Sequence, residues 1–268
     1  MANKVSIVTV SFNCVSSIED TILSVVNQKY KEKEFVIIDG GSTDGTLDVI
    51  KKYDKQINYW VSEKDAGIYD AMNKGIKASN GDWIIFMNSG DCFYNLNVLT
   101  DIFSERFYSE SIIYGDRISL FSFGKYYHKP AVLSVFRYDF PIFHQSTFCR
   151  LYLLKNRLFD TQYKICSDFE SLYYFFNAGY SFRYLSLPIS ICECEDGLSS
   201  RFSSQFRRIR ENTRITNVPK CSLSFVKQYF RTTIRVALLI FLKILGRKCY
   251  SSFYQYICKN NSRVYRLE

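Results

Sequence analysis

No regular spacing links the nine cysteines, and no uncharged run between Ser222 and Leu245 exceeds seven residues. The first absence excludes a disulfide framework, because the count is odd and the intervals are irregular. Cys192 and Cys194 form a lone Cys-x-Cys with no second pair to complete a zinc site. All nine thiols are expected to be reduced, as buried free cysteines commonly are. The second absence, seen in the seven-residue stretch Val236 to Leu242, excludes a bilayer-spanning helix there. Met1 to Lys4 leads straight into an apolar strand-like segment, with no long h-region or cleavage signal, so a cytoplasmic chain is expected. Internal repeats and low-complexity linkers are also missing, as is the Gly-Lys-Ser/Thr ending of a P-loop.

What is present points to a folded chain with a divided charge. Hydrophobic residues make up 47% and aromatics 17%, which excludes a disordered chain. The 23 Phe and 21 Tyr suit a wide ligand surface or a lipid contact. A length of 268 residues buries a sizeable core unaided and fits one large domain, or one domain with an appendage. The net charge is +9, but residues 212–268 hold 11 Lys/Arg against the single acid Glu268, or +10. Residues 1–211 hold the other 24 bases and 25 acids, or −1. Basicity confined to one end indicates an anionic surface as partner, membrane or nucleic acid.

Apolar runs at Val5 to Val10, Glu34 to Asp39, Ile57 to Val61 and Trp83 to Met87 read as strands. Between them, Ile18 to Val26, Asp44 to Tyr53 and Ile68 to Ala78 show helical spacing, the second with Ser42 or Thr43 as cap. This alternation predicts an α/β fold with a mainly parallel sheet. Further on, Tyr114 to Lys129 suggests a hairpin, Ser167 to Ala178 a helix and Phe182 to Ile189 a strand. Past Gly197 the chain turns basic and helical, which places a domain boundary between 1–205 and 206–268.

Polar clusters follow the strands, where open α/β sheets bind ligands. Asp39-Gly40-Gly41-Ser42-Thr43-Asp44-Gly45-Thr46 allows close backbone approach, though a capped strand-to-helix turn would look the same. In Asn88-Ser89-Gly90-Asp91, a strand-end carboxylate can hold Mg²⁺ or Mn²⁺ against a diphosphate, unless the cluster is only a polar turn. In the segment from Ser62 to Gly75, Lys74 can meet phosphate as a point charge or lie on a solvated helix face.

Taken in order, seven segments resemble the family 2 glycosyltransferases with a GT-A (Rossmann-like) fold, in the bacterial branch that builds O-antigen, capsule or exopolysaccharide units. They are residues 6–13, 37–46, 65–75, 86–91, Ile113-Tyr114-Gly115-Asp116, His144-Gln145-Ser146-Thr147-Phe148 and Ser167-Asp168-Phe169-Glu170, spread over roughly residues 4–200. The resemblance implies a nucleotide-sugar pocket that includes Thr9, Asp39, Ser42, Asp65, Asn73, Lys74 and Asn88. It implies an Asp-x-Asp metal motif, of which this chain keeps only Asp91, with Asn88 and Gly90 where acids commonly stand. A single acid likewise remains in Asp39-Gly40. It implies that His144 lies near the acceptor or the diphosphate and that Asp168 is the catalytic base, with Glu170 as fallback.

The function implied is inverting transfer from a nucleoside-diphosphate sugar, a UDP-sugar, to a polyprenyl-diphosphate-linked sugar at the inner face of the cytoplasmic membrane, with Mg²⁺ or Mn²⁺. For the tail, Ser222 to Leu245 reads as a basic amphipathic helix suited to a membrane interface, or as a helix packed on the catalytic domain. Two rival classes remain. One is a nucleotidyltransferase. The other is a nucleic-acid- or membrane-binding protein, although the nucleic-acid reading leaves Asp39, Asp91 and Asp168 without a purpose and no nucleic acid is expected.

Overall fold

A computed structural model describes residues 3–137, 140–194, 202–217 and 263–267, with residues 226, 230, 233, 234, 237, 238, 241, 249, 251–253, 255 and 256. The first strands are β1 (Val5–Ser11), β2 (Lys33–Asp39), β3 (Tyr59–Ser62) and β4 (Trp83–Phe86). They pair in parallel, in the order β4-β1-β2-β3. Helices α1 (Ile18–Val26), α2 (Thr46–Lys52) and α3 (Ile68–Ala78) connect them.

These strands read as unbroken hydrophobic runs because both faces are buried. Val5 and Ile7, Phe35 and Ile37, and Trp83 and Ile85 pack on one face, with Ile22 of α1. Val8 and Val10, Val36 and Ile38, and Ile84 and Phe86 pack on the other, with Met72 of α3. The division follows the period of two along a strand. Truncating one such side chain, Ile37→Ala for example, is expected to cost about 2–5 kcal/mol.

Helix α3 lies unusually close to β1, and Gly75 permits it. A Cβ there would stand 2.4 Å from Val8 Cγ1. Helix α2 begins at Thr46, later than its periodicity suggests, because Gly45 adopts a φ of 99°. The expected cap Ser42 is engaged elsewhere, and Asp44 Oδ1 accepts from Thr46 N at 3.0 Å instead.

Parallel pairing does not continue through the second half. After β5 (Asp91–Phe93) and α4 (Val98–Phe103) come β6 (Ile112–Phe121), β7 (Gly124–His128), β8 (Thr147–Arg150), α5 (Leu151–Asn156), α6 (Ser167–Asn177) and β9 (Phe182–Glu193). Strand β8 bridges β4 and β6 antiparallel, and β7 pairs antiparallel with β6. Strand β9 runs parallel to β6 and antiparallel to β5. The sheet is therefore mixed, with its parallel block confined largely to the first four strands.

The expected boundary at 205/206 falls inside α7 (Phe202–Ile215). Glu211 of α7 accepts hydrogen bonds from the backbone N–H groups of Lys164, Ile165 and Cys166, each at 3.0 Å. It thereby fixes the loop that starts α6. Strand β10 (Val264–Leu267) pairs with β7 at the sheet edge. Most of the expected amphipathic helix, including Lys227, Arg231, Arg235 and Lys243, lies outside the described residues, as do Cys221 and Cys258. Within the described residues, no helix is long and apolar enough to cross a membrane. The seven described cysteines are free.

Candidate functional site

At the end of β2, Asp39 is fully buried and its carboxylate is saturated by the protein. Oδ1 accepts from Ser11 Oγ at 2.9 Å and Ser42 Oγ at 2.6 Å. Oδ2 accepts from Gly41 N at 3.0 Å, Ser42 N at 2.8 Å and Ser62 Oγ at 2.7 Å. Burial opposes ionisation, but the hydrogen bonds from Ser42, Ser62 and Ser11 outweigh it and hold this carboxyl below its ordinary range. Thr9 is also buried and donates to Met87 O at 2.6 Å, tying β1 to the end of β4.

Beside this loop, Gly40 makes room for another acid. A Cβ at Gly40 would stand 2.5 Å from Asp65 Oδ2 and 3.3 Å from Phe12 Cδ2. The space of a second motif acid is thus taken by Asp65, which comes from the loop before α3. Its Oδ1 accepts from Gly67 N at 2.8 Å. Phe12 lies alongside with 64% of its surface exposed. An open ring edged by a carboxylate is a surface on which a flat heterocycle can stack.

On α3, Asn73 clamps the backbone of Phe159, donating to its carbonyl and accepting from its N–H, both at 2.9 Å. Lys74 pairs with Glu63 at 2.7 Å and approaches Asp70 at 3.9 Å. Glu170 is held by Arg157 through two bonds, at 2.9 and 2.5 Å.

The remaining residues gather around an ion pair of a buried carboxylate and a partly exposed imidazole. Asp168, in the first turn of α6, places Oδ2 2.7 Å from His144 Nδ1. Its Oδ1 accepts from Tyr69 OH at 2.8 Å and Phe169 N at 2.9 Å. Burial raises the Asp168 pKa, but the His144 charge and the Tyr69 and Phe169 donors prevail, so it is lowered. Burial works against the His144 charge too, yet Asp168, with Asp91 behind it, raises its pKa. His144 Nε2 is buried with no partner.

Asp91 opens β5 and has no ion-pair partner among the described residues. Burial pushes its pKa up to about 6, against the opposing pull of His144, the Cys192 thiol and Arg117. Next to it in sequence, Asn88 Oδ1 is buried and unpartnered. A carboxylate without an ion-pair partner and an idle amide oxygen are the donor types that Mg²⁺ or Mn²⁺ takes. No group of three His, Cys, Asp or Glu among the described residues is placed to hold a metal ion. A cation here would therefore complete its shell with substrate oxygens and water, as Mg²⁺ commonly does.

The structure thus joins His144 to Asp168, with Asp91 acting on His144 electrostatically, and sets Asp65 on Gly40. Thr9, Asp39, Ser42, Asn73 and Glu170 are engaged by the protein itself. Tyr69, Arg117 and Glu211 escaped the sequence reading. Tyr69 lay inside a resembling segment, whereas Arg117 and Glu211 gave no local signal.

Residues 6–162 match the sequence profile of glycosyl transferase family 2, which is more than half of the chain. An uncharacterized glycosyltransferase of Mycobacterium tuberculosis is 39% identical over 99 residues, and that match spans 37% of this chain but only 38% of the relative. The fold matches S. aureus TarS 1-349 in complex with UDP-GlcNAc, with a TM-score of 0.59 and 17% identity over 85% of this chain and 73% of that one. It also matches a mannosyltransferase of Pyrobaculum calidifontis in complex with GDP-Man and Mn²⁺, with a TM-score of 0.60 and 15% identity over 95% of this chain and 79% of that one.

Proposed function

The chain belongs to glycosyl transferase family 2, and from that premise we propose that it transfers a sugar from a UDP-sugar to a hydroxyl of a lipid-diphosphate-linked sugar, with inversion. The observation that carries the chemistry is the Asp168–His144 pair, joined at 2.7 Å. A sugar hydroxyl attacks well only as its proton leaves, and such a pair can receive that proton. Asp168 is the base in the simplest form of this mechanism. A second form is favoured by a specific observation: both Asp168 oxygens are occupied, whereas His144 Nε2 has no partner. In that form the neutral imidazole's Nε2 takes the proton, which requires a pH above the raised His144 pKa, and Asp168 fixes the tautomer and stabilises the imidazolium that results.

Asp65 and Phe12 receive the nucleotide base, while the saturated Asp39 shapes the loop beneath them. Asp91 and Asn88 would hold the divalent cation, which when bound supplies countercharge to the departing diphosphate. The acceptor approaches through a cleft of about 340 Å³ lined by Gly67, Ile68, Tyr69, Tyr163, Lys164 and Arg207. Tyr69 connects that cleft to Asp168, and Lys164 and Arg207 suit an anionic acceptor.

The same reading places the protein on an anionic membrane, in assembly of surface polysaccharide such as O-antigen or capsule. Val226, Phe230, Ile234 and Phe241 are helical and exposed. Their spacing of four, four and seven residues keeps them on one helix side. Together with the +10 charge of residues 212–268, they match an interfacial helix. Replacing Phe230 and Phe241 with Ser should reduce sedimentation with anionic liposomes, and a wild-type chain that never sediments with them sinks the membrane role.

A donor screen tests the activity. Nucleoside-diphosphate sugars are offered with a synthetic polyprenyl-diphosphate sugar, and release of the nucleoside diphosphate is measured. Release dependent on the acceptor supports the reading. Release of pyrophosphate would instead reveal nucleotidyl transfer.

A further inference from the structure

A second cluster of idle polar groups lies on the sheet face next to Asp91, and sheet register places it there. Asp91 stands opposite Cys192 across β5 and β9. Arg117 stands opposite Ser190 across β6 and β9, and opposite His128 across β6 and β7. Cys192 and Ser190 are two residues apart on one strand, so Asp91, Arg117 and His128 share a face. Ser146 Oγ lies 2.6 Å from Ser190 Oγ, which seats the turn carrying His144 over this face. Three atoms in the cluster are buried without partners: Arg117 Nε, His128 Nε2 and His144 Nε2. Ser119 Oγ, two residues along β6 from Arg117, is a fourth.

Arg117 differs from its neighbours in charge. Its guanidinium lies 4.2 Å over the Phe143 ring, and no carboxylate among the described residues forms an ion pair with it. Burial, with Arg117 beside it, pushes the His128 pKa down to about 3, so His128 is neutral in ordinary conditions. Arg117 is thus a fixed, half-buried cation that forms no ion pair among the described residues, with Asp91 acting on it only at longer range. Its planar fork, pre-organised by stacking, matches phosphate oxygens.

We propose that Arg117 binds the diphosphate of the donor sugar, across β9 from Asp91, and takes up charge when the sugar leaves. In that step the bond from the anomeric carbon to oxygen breaks, and its electron pair stays on the diphosphate oxygen. A fixed cation offsets the loss of acids in Asn88-Ser89-Gly90-Asp91, since one carboxylate anchors a divalent ion less firmly than two. The inference rests on the nucleotide-sugar reading above.

Calorimetric titration with UDP, UMP and uridine, with GDP in parallel, separates the two claims. Wild type is expected to bind UDP more tightly than uridine. R117M should lose about 10- to 100-fold in UDP affinity, the worth of a hydrogen-bonded charge contact, while uridine binding changes less than about threefold. R117K keeps the charge without the fork and should recover part of the loss. Unchanged UDP affinity in R117M overturns the proposal. So does an equal loss for uridine, which would mark Arg117 as only a structural support. If wild type binds neither UDP nor GDP, the nucleotide-sugar reading itself fails and this inference falls with it.

Discussion

The loop around Asp39 and the face around Asp91 each centre on a buried carboxylate, yet they differ in where their polar atoms go. Asp39 receives five hydrogen bonds from Ser11, Gly41, Ser42 and Ser62. Near Asp91, Asn88 Oδ1, His144 Nε2 and Arg117 Nε have none. Buried polar groups left without partners are costly to the fold. Their concentration on one face marks where a ligand is expected, and the satisfied loop is the scaffold that sets the neighbouring strands. The lesson is that a motif's acid is not by its presence a ligand-binding acid. In the proposed reading Asp65 takes that role, and Asp39 shapes the loop beneath it.

The largest effect that would sharpen this contrast is on turnover. Asp168→Asn keeps the shape but cannot support His144 as an ion pair, so turnover should fall roughly 10²- to 10⁴-fold with donor affinity nearly unchanged. Turnover close to wild type would remove the pair from the mechanism.

Metal removal comes next. Excess EDTA should lower turnover on the order of 10²-fold, and Asp91→Ala should abolish the response to added Mn²⁺. Full activity in EDTA would leave charge balance to Arg117 and the lysines.

Asp39→Asn should act on stability instead. An amide keeps one acceptor oxygen for the Gly41 and Ser42 N–H groups, and its NH₂ forces the hydroxyls that now donate to the other oxygen to turn and accept, costing about 1–3 kcal/mol in denaturant unfolding. Turnover per folded molecule should change little. A large loss of donor affinity at full stability would break the comparison, because Asp39 would then be a ligand contact.

The smallest effect is an acid slope. His128 stays neutral in the fold down to about pH 3, whereas in the unfolded chain it gains a proton near its ordinary value of about 6.5. Stability from this residue is therefore present above that value and declines as pH falls towards 3, by at most about 1.4 kcal/mol per pH unit. Unfolding of His128→Gln across that range should show a shallower slope than wild type.

Much of the first half was legible in the sequence because its determinants are local. Helices α1 and α3 follow their hydrophobic period, and β1, β2 and β4 their unbroken apolar runs. What the sequence did not disclose depends on distant partners. Asp39 is saturated by serines 28 and 23 residues away as well as by its own loop. Arg117 meets Asp91 only through β9, whose dual pairing with β5 and β6 has no local pattern. Asp168 was visible as a first-turn acid, but its partners Tyr69 and His144 come from other elements.

The central claim is a single displacement, in which the Asp168–His144 pair takes the acceptor's proton as the sugar is transferred. NMR of the purified glycolipid product, made from an α-linked donor sugar, tests it most directly through the anomeric configuration of the new linkage. The account predicts a β-linked product; an α-linked product, meaning retention, would contradict it.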